Sequence, residues 1–205
     1  MTKSKRDIIA IVLTAFYIVM LLFDQNVLFS CYKGEIFSLR AYLEPLIAPM
    51  LCLGFFIFQN KSFPLKNWLL PLAFVVQLAG ALRSAMHQEI MIYDTVYDAW
   101  LTADLVCWIV TAVALACMVA GSLLGRRDIG LVKYGALSCA VLYLAASVIY
   151  LIENETFRLI SPLTSFPRYR DPWYSYMTWL DRLAVILFYL GIFLWARQKR
   201  REKRP

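Results

Sequence analysis

Histidine is almost missing from this chain: His87 is the single one in 205 residues. Zinc and di-iron centres draw several ligands from His, Cys and carboxylates at set spacings, and no His-Glu-x-x-His run occurs. The five cysteines, Cys31, Cys52, Cys107, Cys117 and Cys139, include no Cys-x-x-Cys pair, which argues against a thiol oxidoreductase. Only Cys31 is predicted to lie outside the apolar runs; the others read as small core residues. Glycine is scarce at eight, and none falls in a phosphate-binding loop or a Gly-x-Ser-x-Gly elbow. Charged residues make up 17% of the chain, against about 25% in soluble domains. No metal and no cofactor is expected on these grounds.

What the sequence has instead is apolar surface. It is 61% hydrophobic and 15% aromatic, with a mean hydropathy of +0.61. A compact soluble globule of this size cannot hide that much, so the expected class is all-α, a polytopic membrane helix bundle. A membrane-spanning helix needs about 20 mainly apolar residues. Six stretches are read as spans: Ile8–Phe29, Tyr42–Phe58, Trp68–Met86, Trp100–Leu124, Leu131–Ile152 and Thr178–Ala196. The runs are continuous, whereas a barrel would need alternating segments of about ten residues. Residues 1–205 are read as one six-helix membrane domain with a basic tail, 197–205.

Orientation follows from Lys and Arg. With the N-terminus in the cytoplasm, two thirds of the 21 basic residues lie inside, around Lys3–Arg6, Lys61 and Lys66, Arg126–Lys133, and Arg197 onward. Of the 14 acids, only Asp7, Asp128 and Glu202 join them. That is the positive-inside pattern, and an even span number predicts both N- and C-termini cytoplasmic, in a membrane of bacterial cytoplasmic type. The net charge of +7 is thus a topology marker, and nucleic acid is not an expected partner. The expected partner is the lipid bilayer. The first run is too long for a signal-peptide core and no small-x-small cleavage site follows it.

The connectors carry further signals. The longest is external, Glu153–Met177, and within it Asp171-Pro172 resembles a cap followed by proline at the first helical position, so the last helix is predicted to begin there. Trp173, Tyr174, Tyr176 and Trp179 suit an interfacial aromatic belt. Pro45 is expected at a helix start, and Pro49, one turn on, is expected to remove a further backbone bond. Asn154-Glu155-Thr156 fits a glycosylation pattern but lies too near a span end to be accessible.

Lipid tails give no hydrophobic reason for helices to associate, so small residues mark packing faces. Ala112, Ala116 and Ala120 repeat every four residues. Gly135/Cys139 and Gly80/Ser84 keep the same spacing. These faces are read as packing within the chain, or as docking sites for a second membrane subunit.

Polar residues crowd one end of the spans. Gln77 is the most polar group near mid-depth, while Asp24, Glu44, Arg83, His87, Asp104, Asp181 and Arg182 sit at the outer ends, with no comparable group of acids at the inner ends. At about 100° per residue, Asp104, Thr111 and Ser122 share a stripe, and Gln77, Ser84 and Gln88 share another. Tyr143, Ser147, Tyr150 and Asn154 follow a 4-3-4 spacing, and Tyr17 lies two turns below Asp24. Each residue also has a plain reading: Glu44 as a helix cap, Arg83 with Asp104 as an ion pair between helices, His87 as a solvated helix-end residue. Taken together, the stripes predict an outward-facing polar vestibule between helices. The candidate ligand-binding set is Asp24, Glu44, Gln77, Arg83, His87, Asp104, Tyr143, Tyr150, Asp181 and Arg182, with a small polar or amphipathic ligand. The expected function is a small solute-binding or transport-related subunit. The alternatives are an enzyme acting on lipid head groups or polyprenyl phosphates, with Asp104 or Glu44 as base and Arg83 on phosphate, and an assembly subunit.

Overall fold

A computed structural model describes residues 5–22, 39–92, 98–124, 129–160 and 172–201; side chains at several helix ends lie outside that description. The described residues form six helices and no strand: α1 (Lys5–Leu22), α2 (Leu39–Phe58), α3 (Lys66–Ile92), α4 (Asp98–Leu123), α5 (Ile129–Ile160) and α6 (Pro172–Arg201). The start of α6 at Pro172 agrees with the Asp171-Pro172 reading, since proline costs no hydrogen bond at the first helical position. Several boundaries differ from expectation: α3 continues past Met86 to Ile92, and α5 continues to Ile160, into the stretch read as the external connector. The apolar reading of the first span runs on to Phe29, and residues 23–29 are outside the described set. Helix α2 begins at Leu39, so Pro45 and Pro49 both lie inside it. Each therefore removes one backbone donor from the ladder.

Three of these helices contain stretches long and apolar enough to cross a membrane: Lys66–Met86, Leu105–Leu123 and Ile129–Val148. The apolar stretches Asp7–Leu22 and Pro45–Phe58 are shorter. The described residues thus establish an all-α protein with three helices of spanning character, rather than all six. The outer faces of those three are apolar and exposed: Val75 and Leu82 on α3, Val106 and Val113 on α4, Val141 and Leu144 on α5. Contiguous exposed apolar surface of this kind is what a lipid-facing wall presents.

Each helix packs on its neighbours in the chain, and α6 closes against α1, so the six make a ring. Neighbours run antiparallel. Lys133 of α5 approaches Phe193 of α6, while Tyr143 meets Tyr189. On the other side of α6, Gly191 meets Ala10 and Tyr17 meets Phe188. Lys5 and Arg201 therefore share one pole of the ring, here called proximal, with Lys61, Lys66, Lys133, Arg197 and Lys199. Arg83, Asp181 and Arg182 lie toward the other, distal pole.

Close approach is concentrated in two seams. At Gly135 an added Cβ would overlap the Met118 side chain and lie 2.9 Å from the Ala114 carbonyl oxygen. A Cβ added at Gly191 would lie 3.3–3.5 Å from Leu13 and the Ala10 backbone. Of the alanine series on α4, Ala112 is buried, Ala120 half-buried and Ala116 exposed. A straight helix turns about 400° in four residues, so the series drifts off the seam. Three hydroxyls of the predicted stripes bond their own helix: Thr111 to the Cys107 carbonyl (2.7 Å), Ser122 to Val119 (2.8 Å) and Ser147 to Tyr143 (2.6 Å). Inside an apolar bundle this is the nearest acceptor a hydroxyl can find. Asp7 is only 2% exposed and its Oδ1 has no hydrogen-bond partner. It lies in the first turn of α1, where the helix dipole favours negative charge.

Candidate functional site

Two cavities open in the ring. The proximal one, about 690 Å³, is lined by Lys66–Trp68, Leu70 and Pro71 of α3, Gly121–Leu123 of α4, Ile129 and Val132 of α5, Phe55 of α2 and Trp195 of α6. The distal one, about 450 Å³, takes residues from all six helices: Tyr17, Pro45 and Ala48, then Val76, Gln77, Gly80, Ala81, Arg83 and Ser84 on α3, and Trp108, Tyr143 and Tyr189. Cys52, Phe74, Leu115, Cys139 and Ile192 each fall, along their own helix, between the linings of the two cavities. All are at most 1% exposed. A dry layer therefore separates the cavities.

The distal cavity is lined by four aromatic rings, by small apolar residues and by the polar Gln77, Arg83 and Ser84. Tyr143 and Tyr189 stack, with centroids 5.6 Å apart and planes at 25°. Trp108 meets Tyr143 edge-on at 5.8 Å, and Tyr17 leans on Phe188 at 5.1 Å. Offset and edge-on pairs of this kind hold rings rigidly. The Tyr189 hydroxyl donates to Gln77 Oε1, tying α6 to α3 across the ring. That bond uses only the amide oxygen and leaves the two N–H donors of Gln77 for another acceptor. Gly80 keeps the α3 wall open, because a Cβ there would meet nothing within 4 Å. Arg83, exposed, and Ser84, half-buried, complete the wall.

Of the candidate ligand residues, this cavity brings together Gln77, Arg83 and Tyr143. Asp181 and Arg182 are not among its lining residues, and Arg182 Nη1 donates to the Ala146 carbonyl on α5 at 3.4 Å. Asp24 lies outside the described residues. Glu44, His87, Asp104 and Tyr150 stand on described helices, with side chains outside the description.

Trp108 and Tyr189 belong to the site and went unread in the sequence, where both look like ordinary members of apolar runs. A signal was present for one of them: Tyr189 lies seven residues from Arg182, hence on the same face of α6. Gly80, read from its spacing to Ser84 as a packing position, instead faces open space.

Comparison with protein families, with characterised proteins and with solved structures finds no match to this chain. What the site can do is therefore argued from its own chemistry. Among the described lining residues of the distal cavity there is no carboxylate, imidazole or thiol. No described group of three metal-ligating side chains converges anywhere. Ring faces, an amide, a hydroxyl and a guanidinium are groups that hold a ligand; none of them is a base near neutral pH.

The proximal cavity differs. Its serine is already bonded within its own helix, and the indole N–H of Trp195 goes to Gln59 at 3.0 Å. Its remaining polar side chains are Lys66 and Asn67.

Proposed function

We propose that this chain is an integral membrane protein of six spans that binds a small polar or amphipathic solute in its distal cavity, as a solute-binding or transport-related subunit. The observation that carries the reading is a cavity to which all six helices contribute, with four aromatic rings, Gln77 and Arg83 in its lining, inside a bundle whose outer faces are apolar. Gaps between helices, apolar and aromatic with a few placed polar groups, are where small-molecule sites form. The absence of a base among the described lining residues favours holding over chemistry. The ring packing of all six helices supports a common orientation, in which α1 and α2 span despite their shorter apolar stretches. The proximal pole faces the cytoplasm in this reading, because basic residues flanking spans are retained there. The membrane is then of bacterial cytoplasmic type, and the distal cavity opens outward.

Cysteine labelling tests the reading. In a Cys31→Ser background, Gly80→Cys places a thiol in the cavity without a clash, and Ser62→Cys places one in the exposed α2–α3 connector. With a membrane-impermeant maleimide on intact cells, Gly80→Cys is expected to react and Ser62→Cys to react only after permeabilisation. Reaction of Ser62→Cys alone in intact cells reverses the orientation. A Gly80→Cys thiol inert under both conditions removes the water-filled cavity and the functional reading with it.

A further inference from the structure

The larger cavity, at the proximal pole, plays no part in that function. We infer that it is a binding site for an anionic phospholipid, with the lipid phosphate at Lys66 and Asn67 and the acyl chains along the apolar lining beside them. The inference rests on the membrane reading, though not on the distal cavity or its solute.

Four observations carry it. First, the cavity holds one charged side chain, Lys66, and no acid among its described lining residues. The Lys66 ammonium donates once, to the Lys61 carbonyl oxygen at 2.9 Å. An ammonium has three donors, so that bond anchors it and leaves two for an anion. Second, the rest of the lining is apolar or aromatic, including Trp68, Leu123, Ile129 and Trp195. A free inorganic ion would gain nothing from these; an acyl chain would. Third, the apolar surface continues outward: Leu65 and Trp68 are 58% and 57% exposed, and Leu123 and Leu124 are exposed beside them. An exposed tryptophan next to a lysine at a span end is the pairing expected at head-group depth. Fourth, the pole is basic, with Lys61, Lys133, Arg197 and Lys199 on neighbouring elements. Basic pockets between spanning helices on the cytoplasmic side suit anionic head groups.

The N–H groups of Lys66 and Trp68 are already taken by the carbonyls of Phe63 (3.3 Å) and Leu65 (3.0 Å). Lys66 carries the charge of this lining, and it is the residue to test.

The full chain is extracted from membranes in a mild maltoside detergent and returned to nanodiscs of phosphatidylglycerol or phosphatidylcholine. Bound lipid is then counted by native mass spectrometry and thermal stability is recorded. The expected result is a higher melting temperature and retained lipid with phosphatidylglycerol only. Lys66→Gln lowers retention by about fivefold, and Lys66→Arg keeps it. Lys61→Gln, outside the cavity, changes retention less than Lys66→Gln. Equal retention of both lipids, or undiminished phosphatidylglycerol selectivity in Lys66→Gln, overturns the inference. So does an equal shift from glycerol 3-phosphate added to the phosphatidylcholine discs, since that marks a phosphate site without acyl recognition. Recovery of the chain in the soluble fraction, before any lipid is added, defeats the membrane reading itself. If Lys66→Gln fails to fold, the wild-type comparison of the two lipids still decides.

Discussion

Gly135 on α5 and Gly80 on α3 share a residue type and a four-residue spacing to a small partner, yet they sit in opposite surroundings. At Gly135 the neighbouring helix fills the place where a Cβ would go, and one of the atoms there is backbone, the Ala114 carbonyl oxygen at 2.9 Å. At Gly80 that place is empty and opens on the distal cavity. One glycine lets two helices touch; the other keeps a space from closing. The same contrast separates the α4–α5 seam from the α2–α3 side of the ring. Small residues in membrane helices therefore mark either contact or void, and the choice between them depends on how far away the next helix stands.

Substitution at these two positions gives the sharpest break of the comparison. Gly135→Leu is expected to abolish folding, read as loss of the monodisperse species in detergent, because a backbone carbonyl cannot yield as a flexible side chain can. Gly80→Leu is expected to fold and to fill the cavity, seen as lost alkylation of a cysteine placed at Ser84. Equal damage at both positions would sink the distinction between seam and void.

The next largest effect lies in the dry core beside the layer between the cavities. Phe56 is fully buried, and Phe56→Ala should cost about 3–5 kcal/mol in a reversible unfolding measurement. Val113→Ala, on the exposed face of α4, should cost far less. A smaller pair of substitutions stays within the seam-and-void contrast. Gly135→Ala should destabilise by about 1–3 kcal/mol through overpacking. Gly80→Ala should be neutral or gain up to about 1 kcal/mol from helix propensity. Opposite signs in a thermal melt would confirm the contrast, and a common sign would end it.

Smaller again are the two bonds that α6 makes across the ring. Tyr189→Phe releases Gln77 and Trp195→Phe releases Gln59. Interhelical hydrogen bonds in membranes average about 0.6 kcal/mol, with a maximum near about 1.7, so stability should fall only slightly in each. The two should differ in ligand response: Tyr189→Phe alters solute protection of a Gly80→Cys thiol, whereas Trp195→Phe, below the dry layer, leaves it unchanged. Thr111→Val should be the least of these, at about 0.5 kcal/mol or less, because that hydroxyl serves only its own helix.

The helices were legible because each is a continuous apolar run closed by charge, proline or both, and such a run satisfies its own backbone hydrogen bonds whatever its neighbours do. Pro172 could be placed for the same reason: its effect on a helix start is local. Gln77 and Tyr143 stood out as polar groups in apolar surroundings, and both line the distal cavity. Trp108 and Tyr189 did not stand out, because an aromatic residue in such a run serves lipid, core and ligand equally well. Asp7 shows the converse. It reads as a span-end charge, yet the bundle buries it.

Residue order alone determined the all-α class, the basic bias of one set of span ends and the position of most helix ends, since these depend on interactions within a turn or two of chain. Tertiary structure alone decided which face of each described helix looks inward, which glycine touches a neighbour, and that a dry layer lies between the distal and proximal cavities. The reason is geometric. A helix sets the angle between its own side chains, but only the position of the adjacent helices determines whether a given direction ends in lipid, in a packed side chain or in empty space.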